Sequence, residues 1–201
     1  MRPFTALTSI VAPLLRDNVD TDTIIPSREM RSTGRTGLAA GLFAPWRYSN
    51  AEARMADPEF VLNQPEFAHA QILGAGCNFG CGSSREHAVW ALAEWGIRAI
   101  IAESFAPIFY QNCIRNGILP VVSNNHTLVG IAGGVVTLDL AAQTISHGST
   151  SWPFQIEAEA KAVLLAGLDA IDLTLKSRGE IAAWTAADRI ARPWVYLEKR
   201  A

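Results

Sequence analysis

The sequence lacks the features that mark a membrane, secreted or nucleic-acid-binding protein. No apolar run in its 201 residues approaches the roughly 18 residues that a membrane-spanning helix needs. The formal net charge is only −2, so no excess of positive charge points to a nucleic acid or an anionic membrane. Three cysteines are too few, and odd in number, for a disulfide framework. We therefore expect a cytoplasmic protein with neither a nucleic-acid nor a membrane partner.

Familiar nucleotide, nucleophile and metal motifs are absent as well. No Gly-Lys-Ser/Thr follows the glycine-rich turn "GCGSSR" (80–85), so it is not a P-loop. Its serines are out of frame for a Gly-x-Ser-x-Gly elbow, and Arg85 stands where a dinucleotide fingerprint has its third glycine. Cys77 and Cys81 have C-x3-C spacing, unlike the C-x2-C of zinc or common iron–sulfur sites. We expect no metal ligands in this chain.

The composition is that of a globular protein, with 49% hydrophobic and 18% charged residues. Apolar runs bounded by Gly and Pro predict strands over 4–15, 69–76, 98–103 and 118–122, and helices from about 84 to 95 and from Pro107 to Gly117. Residues 31–60 have no clean period and predict a long irregular segment with a short helix or two. An antiparallel hairpin is predicted within 133–156, and helices after it. The pattern indicates an α/β fold with a mainly parallel sheet, forming one domain over 1–201 with a C-terminal helical extension.

The stretch "GCGSSREHAVWALAEWG" (80–96) holds the densest polar chemistry. Ser83 and Glu86 have the spacing of a helix capping box, and Gly96 suits the end of that helix. A glycine-rich turn at a helix N-terminus is also an anion site, because backbone N–H groups point outward there. Arg85 is unusual at a helix start, where the macrodipole prefers acidic side chains, unless an anion binds beside it. Both interpretations remain open: a structural cap, or a carboxylate site with an activated serine.

A second capping box is predicted at Ser177 and Glu180, at the start of the last helix. The other polar cluster is "RDNVDTDTIIP" (16–26), with three aspartates. It has neither the glycine nor the glutamate of an EF-hand loop, so it predicts either an Asx-rich turn or a carboxylate that orients an active-site group.

These motifs resemble a known family. "NFGCGSSREHA" (78–88) is similar to the signature of the aconitase-type swivelling domain, and within that family to the bacterial small subunits of 3-isopropylmalate dehydratase. Similar stretches follow in order over nearly the whole chain: 18–26, 34–48, 60–67, 104–121 and 167–175. The resemblance implies a swivelling β/β/α domain like the C-terminal domain of aconitase. It also implies a separate large subunit that carries a [4Fe–4S] cluster, with no cofactor in this chain.

The resemblance further assigns roles to residues of the motifs. Ser83 would be the alkoxide base that removes the carbon-bound proton, and Arg85 would hold a substrate carboxylate with Ser84 beside it. Asp22 would be a supporting acid, and Arg35 a second carboxylate-binding arginine. The loop around 28–38 lies where family members differ in substrate.

The implied reaction is isomerisation of 2-isopropylmalate and 3-isopropylmalate by dehydration and rehydration in leucine biosynthesis, with activity only in the presence of the large subunit. Two alternatives remain at this level. The charged residues Arg28 and Arg31 also suit a related hydro-lyase acting on a smaller diacid, of the 2-methylmalate (citraconate) or dimethylmaleate type. The helix N-terminus alone would suit a non-catalytic anion-binding module.

Overall fold

The computed structural model of the chain describes residues 1–30, 34–83 and 85–196. In these residues the strands are β1 (Ala6–Leu14), β2 (Tyr48–Asn50), β3 (Met55–Ala56), β4 (Ile72–Ala75), β5 (Ala99–Ala102), β6 (Leu119–Val122), β7 (Val135–Asp139), β8 (Thr144–His147) and β9 (Thr150–Pro153). The α-helices are α1 (Thr21–Ile24), α2 (Ala44–Arg47), α3 (Glu86–Trp95), α4 (Pro107–Arg115), α5 (Asn125–Ile131), α6 (Ala158–Ala166), α7 (Ala170–Leu175) and α8 (Arg178–Ala191). Short 3-10 helices cover Ser27–Glu29, Ala39–Gly41, Val61–Asn63, Pro65–Phe67 and Pro193–Val195.

Seven strands form one sheet in the order β6-β5-β4-β1-β7-β8-β9. Strand β1 joins its two halves: Val11 to Leu14 pair in parallel with β4, whereas Ala6 to Ile10 pair antiparallel with β7. The parallel half alternates strands with α3 and α4, which confirms the predicted α/β fold. The segment predicted as one hairpin forms two, β7–β8 and β8–β9, and Gly148 takes a left-handed conformation (φ +56°) in the second turn.

The core lies on both faces of the parallel half. Every residue of β4 and β5 is buried, with alternate side chains entering two separate hydrophobic clusters. Leu73 packs on the face that also holds Phe79, Val89 and Phe109, whereas Ile72 packs on the opposite face. Strands covered on both sides are typical of parallel sheets, because crossover helices lie over them. The core therefore fixes the ends of β1 and β4, where the polar motifs begin.

Helix α3 begins later than predicted, and the predicted Ser83–Glu86 capping box is wrong. The N-cap is Arg85, with no side-chain cap hydrogen bond. Glu86 instead accepts a hydrogen bond from Asn116 Nδ2 at 2.9 Å, and Asn116 Oδ1 accepts one from Trp90 Nε1 at 3.0 Å. Glu86 thus joins α3 to the end of α4 rather than turning back to its own N-terminus. The predicted end of α3 is correct, since the residue after Trp95 has φ +112°.

The predicted box at Ser177 and Glu180 is also not formed. Ser177 is the N-cap of α8, but its side chain makes no cap hydrogen bond, and its ψ of 21° is not the extended backbone that capping requires. A reciprocal box occurs one helix earlier, between Asp169 and Asp172 at the start of α7.

The irregular segment 31–60 contains, in its described part, a 3-10 helix, α2 and the β2–β3 hairpin, of which the hairpin was not predicted. Helices α6, α7 and α8 make up the C-terminal part of the described chain, and no residue of α8 is buried. Among the helices that the structure describes, none combines the length and the apolar character needed to cross a membrane.

Candidate active site

The candidate site lies where β1 and β4 end side by side. The acidic loop after β1 and the glycine-rich turn after β4 continue the parallel pairing of the two strands. Thr21 N donates to Cys81 O at 2.9 Å, and Gly80 N donates to Val19 O at 2.8 Å. An isolated parallel bridge joins Asp20 to Cys81. The carboxyl ends of adjacent parallel strands are the usual place for a ligand in an open α/β sheet.

The glycines of the turn are needed to place Ser83. Gly80 has φ +77°, and a Cβ atom there would lie 2.1 Å from Cγ of Phe109. Gly82 has φ +85°, a conformation that residues with side chains rarely adopt. The buried Thr21 hydroxyl then donates to Ser83 O at 2.7 Å. These contacts hold the backbone of Ser83 while the residue itself is exposed.

The structure brings Arg85 and Asp22 together. Arg85 Nη1 donates to Asp22 Oδ1 at 2.6 Å and to Ser27 Oγ at 2.9 Å. The Arg85 side chain is 23% exposed and that of Asp22 is 52% exposed, so the pair lies at an open surface. Because a guanidinium carries five N–H donors, three remain in the fork geometry that a carboxylate binds. Asp22 therefore orients a cation that is still able to hold an anion.

Arg35 belongs to a loop that contacts helix α3 at another point. Its guanidinium carbon is 5.0 Å from the centre of the Trp90 ring, over the body of α3 rather than at its N-terminal end. Trp90 follows Arg85 by five residues, which corresponds to roughly 7.5 Å along a helix. Glu94, one turn further, accepts three backbone N–H bonds from residues 37–39. The loop that carries Arg35 is thus fastened to the helix that begins at Arg85.

The remaining predicted residues separate into two groups. Asp20 caps α1 through Thr23 N at 2.6 Å, so for this aspartate the turn interpretation is correct. Asp17 instead makes a long-range contact and accepts a hydrogen bond from Cys77 N at 2.7 Å. Only Asp22 of that loop contacts Arg85. Ser84, and Arg31 in the charged loop, lie outside the described residues.

The cysteines do not form a set that suits an iron–sulfur cluster. Cys77 groups with two carboxylates, Asp17 and Glu103, whose ligand atoms lie within 4.8 Å of one another. Burial, then Glu103, then Asp17 raise the pKa of Cys77. Cys113 is fully buried in α4, where burial raises its pKa well above the usual value. Cluster ligation by thiolates does not fit this arrangement.

Three residues that help to build the site are not predicted by the sequence. Thr21 holds the Ser83 carbonyl, Ser27 accepts from Arg85, and Glu94 holds the Arg35 loop. Thr21 belongs to the acidic motif that the sequence indicates, but nothing in the sequence indicates its contact with Ser83. Nothing in the spacing around Ser27 or Glu94 indicates their partners, which are distant in sequence.

Comparison with known proteins identifies the family. The aconitase C-terminal domain family matches residues 1–126. The chain is 52% identical to the "3-isopropylmalate dehydratase small subunit" of Cupriavidus necator, with 98% of this chain and 100% of the relative aligned. The chain belongs to the family of 3-isopropylmalate dehydratase small subunits. The small subunit of Rhizobium meliloti is 46% identical, over 96% of this chain and 100% of its own length.

A solved member of the dehydratase family has the same fold. The crystal structure of 3-isopropylmalate dehydratase from Methanocaldococcus jannaschii matches with a TM-score of 0.67 and 31% identity, over 90% of this chain and 99% of that one. The family resemblance and the fold predicted from the sequence are confirmed. The roles assigned to Ser83, Ser84, Arg85, Arg35 and Asp22 stay predictions.

Proposed function

We propose that this chain is the small subunit of a 3-isopropylmalate dehydratase, a hydro-lyase that interconverts 2-isopropylmalate and 3-isopropylmalate in leucine biosynthesis. The observation that carries the proposal is the Asp22–Arg85 pair beside Ser83, built on the motif that resembles the signature of the aconitase-type swivelling domain. A dicarboxylate substrate needs cationic groups held in fixed positions, and Asp22 holds one.

Arg85 binds one substrate carboxylate through the N–H donors that do not contact Asp22 and Ser27. Removal of a proton next to a carboxylate places further negative charge on that group. A cation already held in place stabilises this charge without reorganising in the transition state. Arg85 therefore contributes most where the charge develops.

Ser83 is the base that takes the carbon-bound proton. Ser83 lies close to the N-terminal end of α3 and is two residues before Arg85. The positive end of the helix dipole and the charge of Arg85 both favour the alkoxide form of Ser83. It is not the helix cap, and so its hydroxyl is not required to hold the helix end. The backbone of Ser83 is held by the hydroxyl of the buried Thr21, which donates to Ser83 O at 2.7 Å.

A partner subunit completes the site. Ser83 and Asp22 are exposed, whereas such a proton transfer needs a site closed to water, where charges interact strongly. We propose that a large subunit covers this surface and carries the [4Fe–4S] cluster, which supplies a Lewis acid for the substrate hydroxyl. The complex is proposed to act in the cytoplasm.

The test is an anaerobic assay of the chain mixed with the large subunit of its own organism, with the cluster reconstituted. Formation of the unsaturated acid is followed from 3-isopropylmalate and from 2-methylmalate. Ser83→Ala is expected to lower kcat by roughly 10²- to 10⁴-fold, the usual contribution of a general base. Ser149→Ala, in the exposed β8–β9 turn, is the matched control and retains activity.

Each outcome is decisive. Activity on 2-methylmalate alone would change the assigned substrate from 3-isopropylmalate to the smaller diacid, and the hydro-lyase reaction would stand. Full activity of Ser83→Ala would remove Ser83 as base. A stable complex that binds diacids without dehydrating them would make the chain an anion-binding module.

A further inference from the structure

Glu94 makes an unusual set of contacts for an exposed side chain. Its carboxylate accepts hydrogen bonds from Gly37 N at 2.6 Å, Leu38 N at 2.6 Å and Ala39 N at 2.8 Å. Burial raises the pKa of Glu94, but the three backbone N–H groups together lower it below the ordinary value. The charged carboxylate is therefore the form that holds the loop.

The loop held in this way is the one that carries Arg35. Trp90 and Glu94 are four residues apart and share one face of α3. Arg35 lies over the Trp90 ring, and Glu94 binds the backbone beginning two residues after Arg35. The backbone next to Arg35 is thereby held against helix α3.

The other side of the same loop is also fastened. Glu29 is only 6% exposed and pairs with Arg54, whose Nη2 lies 2.5 Å from Glu29 Oε2. A Cβ atom at Gly41 would lie 2.5 Å from Cβ of Glu29, so the two backbone segments pack closely. Glu29 thus packs where the loop begins, and Glu94 binds the backbone of residues 37–39. In sequence, Arg35 is closer to the residues that Glu94 binds than to Glu29.

We propose that Glu94 is a positioning residue for the reaction: by holding the backbone of residues 37–39 on α3, it places Arg35 where its guanidinium meets a substrate carboxylate. This inference rests on the proposed function. Glu94 is exposed, contributes nothing to the core and does not touch the substrate. Its effect passes through Arg35.

The kinetic test uses Glu94→Gln in the complex reconstituted with its large subunit. A positioned arginine that binds the ground state and the transition state alike affects KM and not kcat. We expect kcat/KM to fall about 10- to 100-fold, the scale of a misplaced binding group, and the fall to lie in KM. Glu94→Asp keeps the charge on a shorter side chain, so its kcat/KM is expected to lie between the values of the wild type and of Glu94→Gln. Glu66→Gln, at an exposed glutamate in the 3-10 helix Pro65–Phe67, is the control.

A double-mutant cycle separates positioning from simple destabilisation. If Glu94 acts through Arg35, Glu94→Gln adds nothing to the loss caused by Arg35→Ala. Independent, additive losses would overturn the inference, as would an unchanged KM in Glu94→Gln. A merely destabilised subunit would lower the amount of active complex and leave KM unchanged.

Amide hydrogen exchange on the chain alone gives a readout that needs no activity. We expect the amides of residues 37–39 to exchange faster in Glu94→Gln than in the wild type, with β4 and β5 unchanged. Equal exchange would show that Glu94 does not hold the loop. A wild-type complex inactive on every diacid would overturn the proposed function. The exchange data would still show whether Glu94 holds the backbone of residues 37–39.

Discussion

At the scale of single residues, the site depends on orientation more than on stability. The Arg85–Asp22 pair lies at the surface, and such pairs contribute only about 0–1 kcal/mol to folding. Its distance of 2.6 Å instead fixes the direction of the guanidinium. Motif similarity marked both residues, but their contact spans 63 positions of the chain and no local pattern specifies it.

Cys77 shows how neighbouring charges control a side chain beside the site. Its pKa is raised by burial, by Glu103 and by Asp17. Because only the thiolate is alkylated, removing the charge of Glu103 is expected to lower this pKa and to speed the reaction. We predict that Glu103→Gln raises the alkylation rate of Cys77 by iodoacetamide at pH 8, by less than about tenfold, the change for one pKa unit.

Peptide mapping by mass spectrometry over time measures this rate. Cys113 provides the internal control, because it is fully buried and is expected to stay unmodified in both proteins. An unchanged rate at Cys77 would show that Glu103 does not act on the thiol.

At the scale of elements, the sequence predicted the helices and strands whose causes are local. The strands of the parallel half are short apolar runs, and α3 and α4 have Gly or Pro at their ends, so composition alone located them. The start of α3 was misplaced because the Ser83–Glu86 spacing is a real capping signal. Its competitor, Asn116, lies 30 residues from Glu86 and becomes a neighbour only when α4 packs on α3.

The glycine-rich turn supplies a stability prediction for an element. Gly80→Ala would force a side chain into φ +77° and against the Phe109 ring. Strain of about 1–3 kcal/mol from the backbone and a similar amount from overpacking apply together. We predict that urea denaturation shows a loss of roughly 2–6 kcal/mol.

Gly130→Ala is the matched control. Gly130 lies inside α5, where an added Cβ meets nothing within 4 Å. Alanine is the better helix former, so this variant is expected to be equal to or more stable than the wild type, by up to about 1 kcal/mol. Equal effects of the two substitutions would contradict the role assigned to the turn.

At the scale of the whole molecule, the C-terminal extension is only partly integrated with the domain. In α6, Leu164 is fully buried and its carbonyl accepts from Phe4 N at 2.9 Å. In α8, Ile181, Trp184 and Ile190 are all exposed. The sequence predicted helices here, but the choice of which one packs on the sheet depends on contacts with the first residues of the chain.

Two truncations test this difference. Ending the chain after Ser177 removes α8 and is expected to change the free energy of unfolding by no more than about 0.5 kcal/mol, as for other surface changes. Ending it after Glu157 also removes α6 and is expected to cost at least about 3 kcal/mol, because a buried leucine is lost. Urea titrations of both chains give the values. A large loss on removing α8 alone would show that it packs on the domain.

The position of β1 has a consequence for synthesis of the chain on the ribosome. β1 is made first, yet Thr8 pairs with Thr137, 129 residues later. At about 5–20 residues per second, this edge of β1 waits roughly 6–26 s for its partner. The parallel half, with the turn that holds Ser83, is complete by residue 122, before β7 exists. A nascent chain of that length therefore presents an unpaired strand edge, and one face of its sheet still lacks the core residues that β7, β8 and α6 supply. This is the stage at which the chain is most open to wrong pairing.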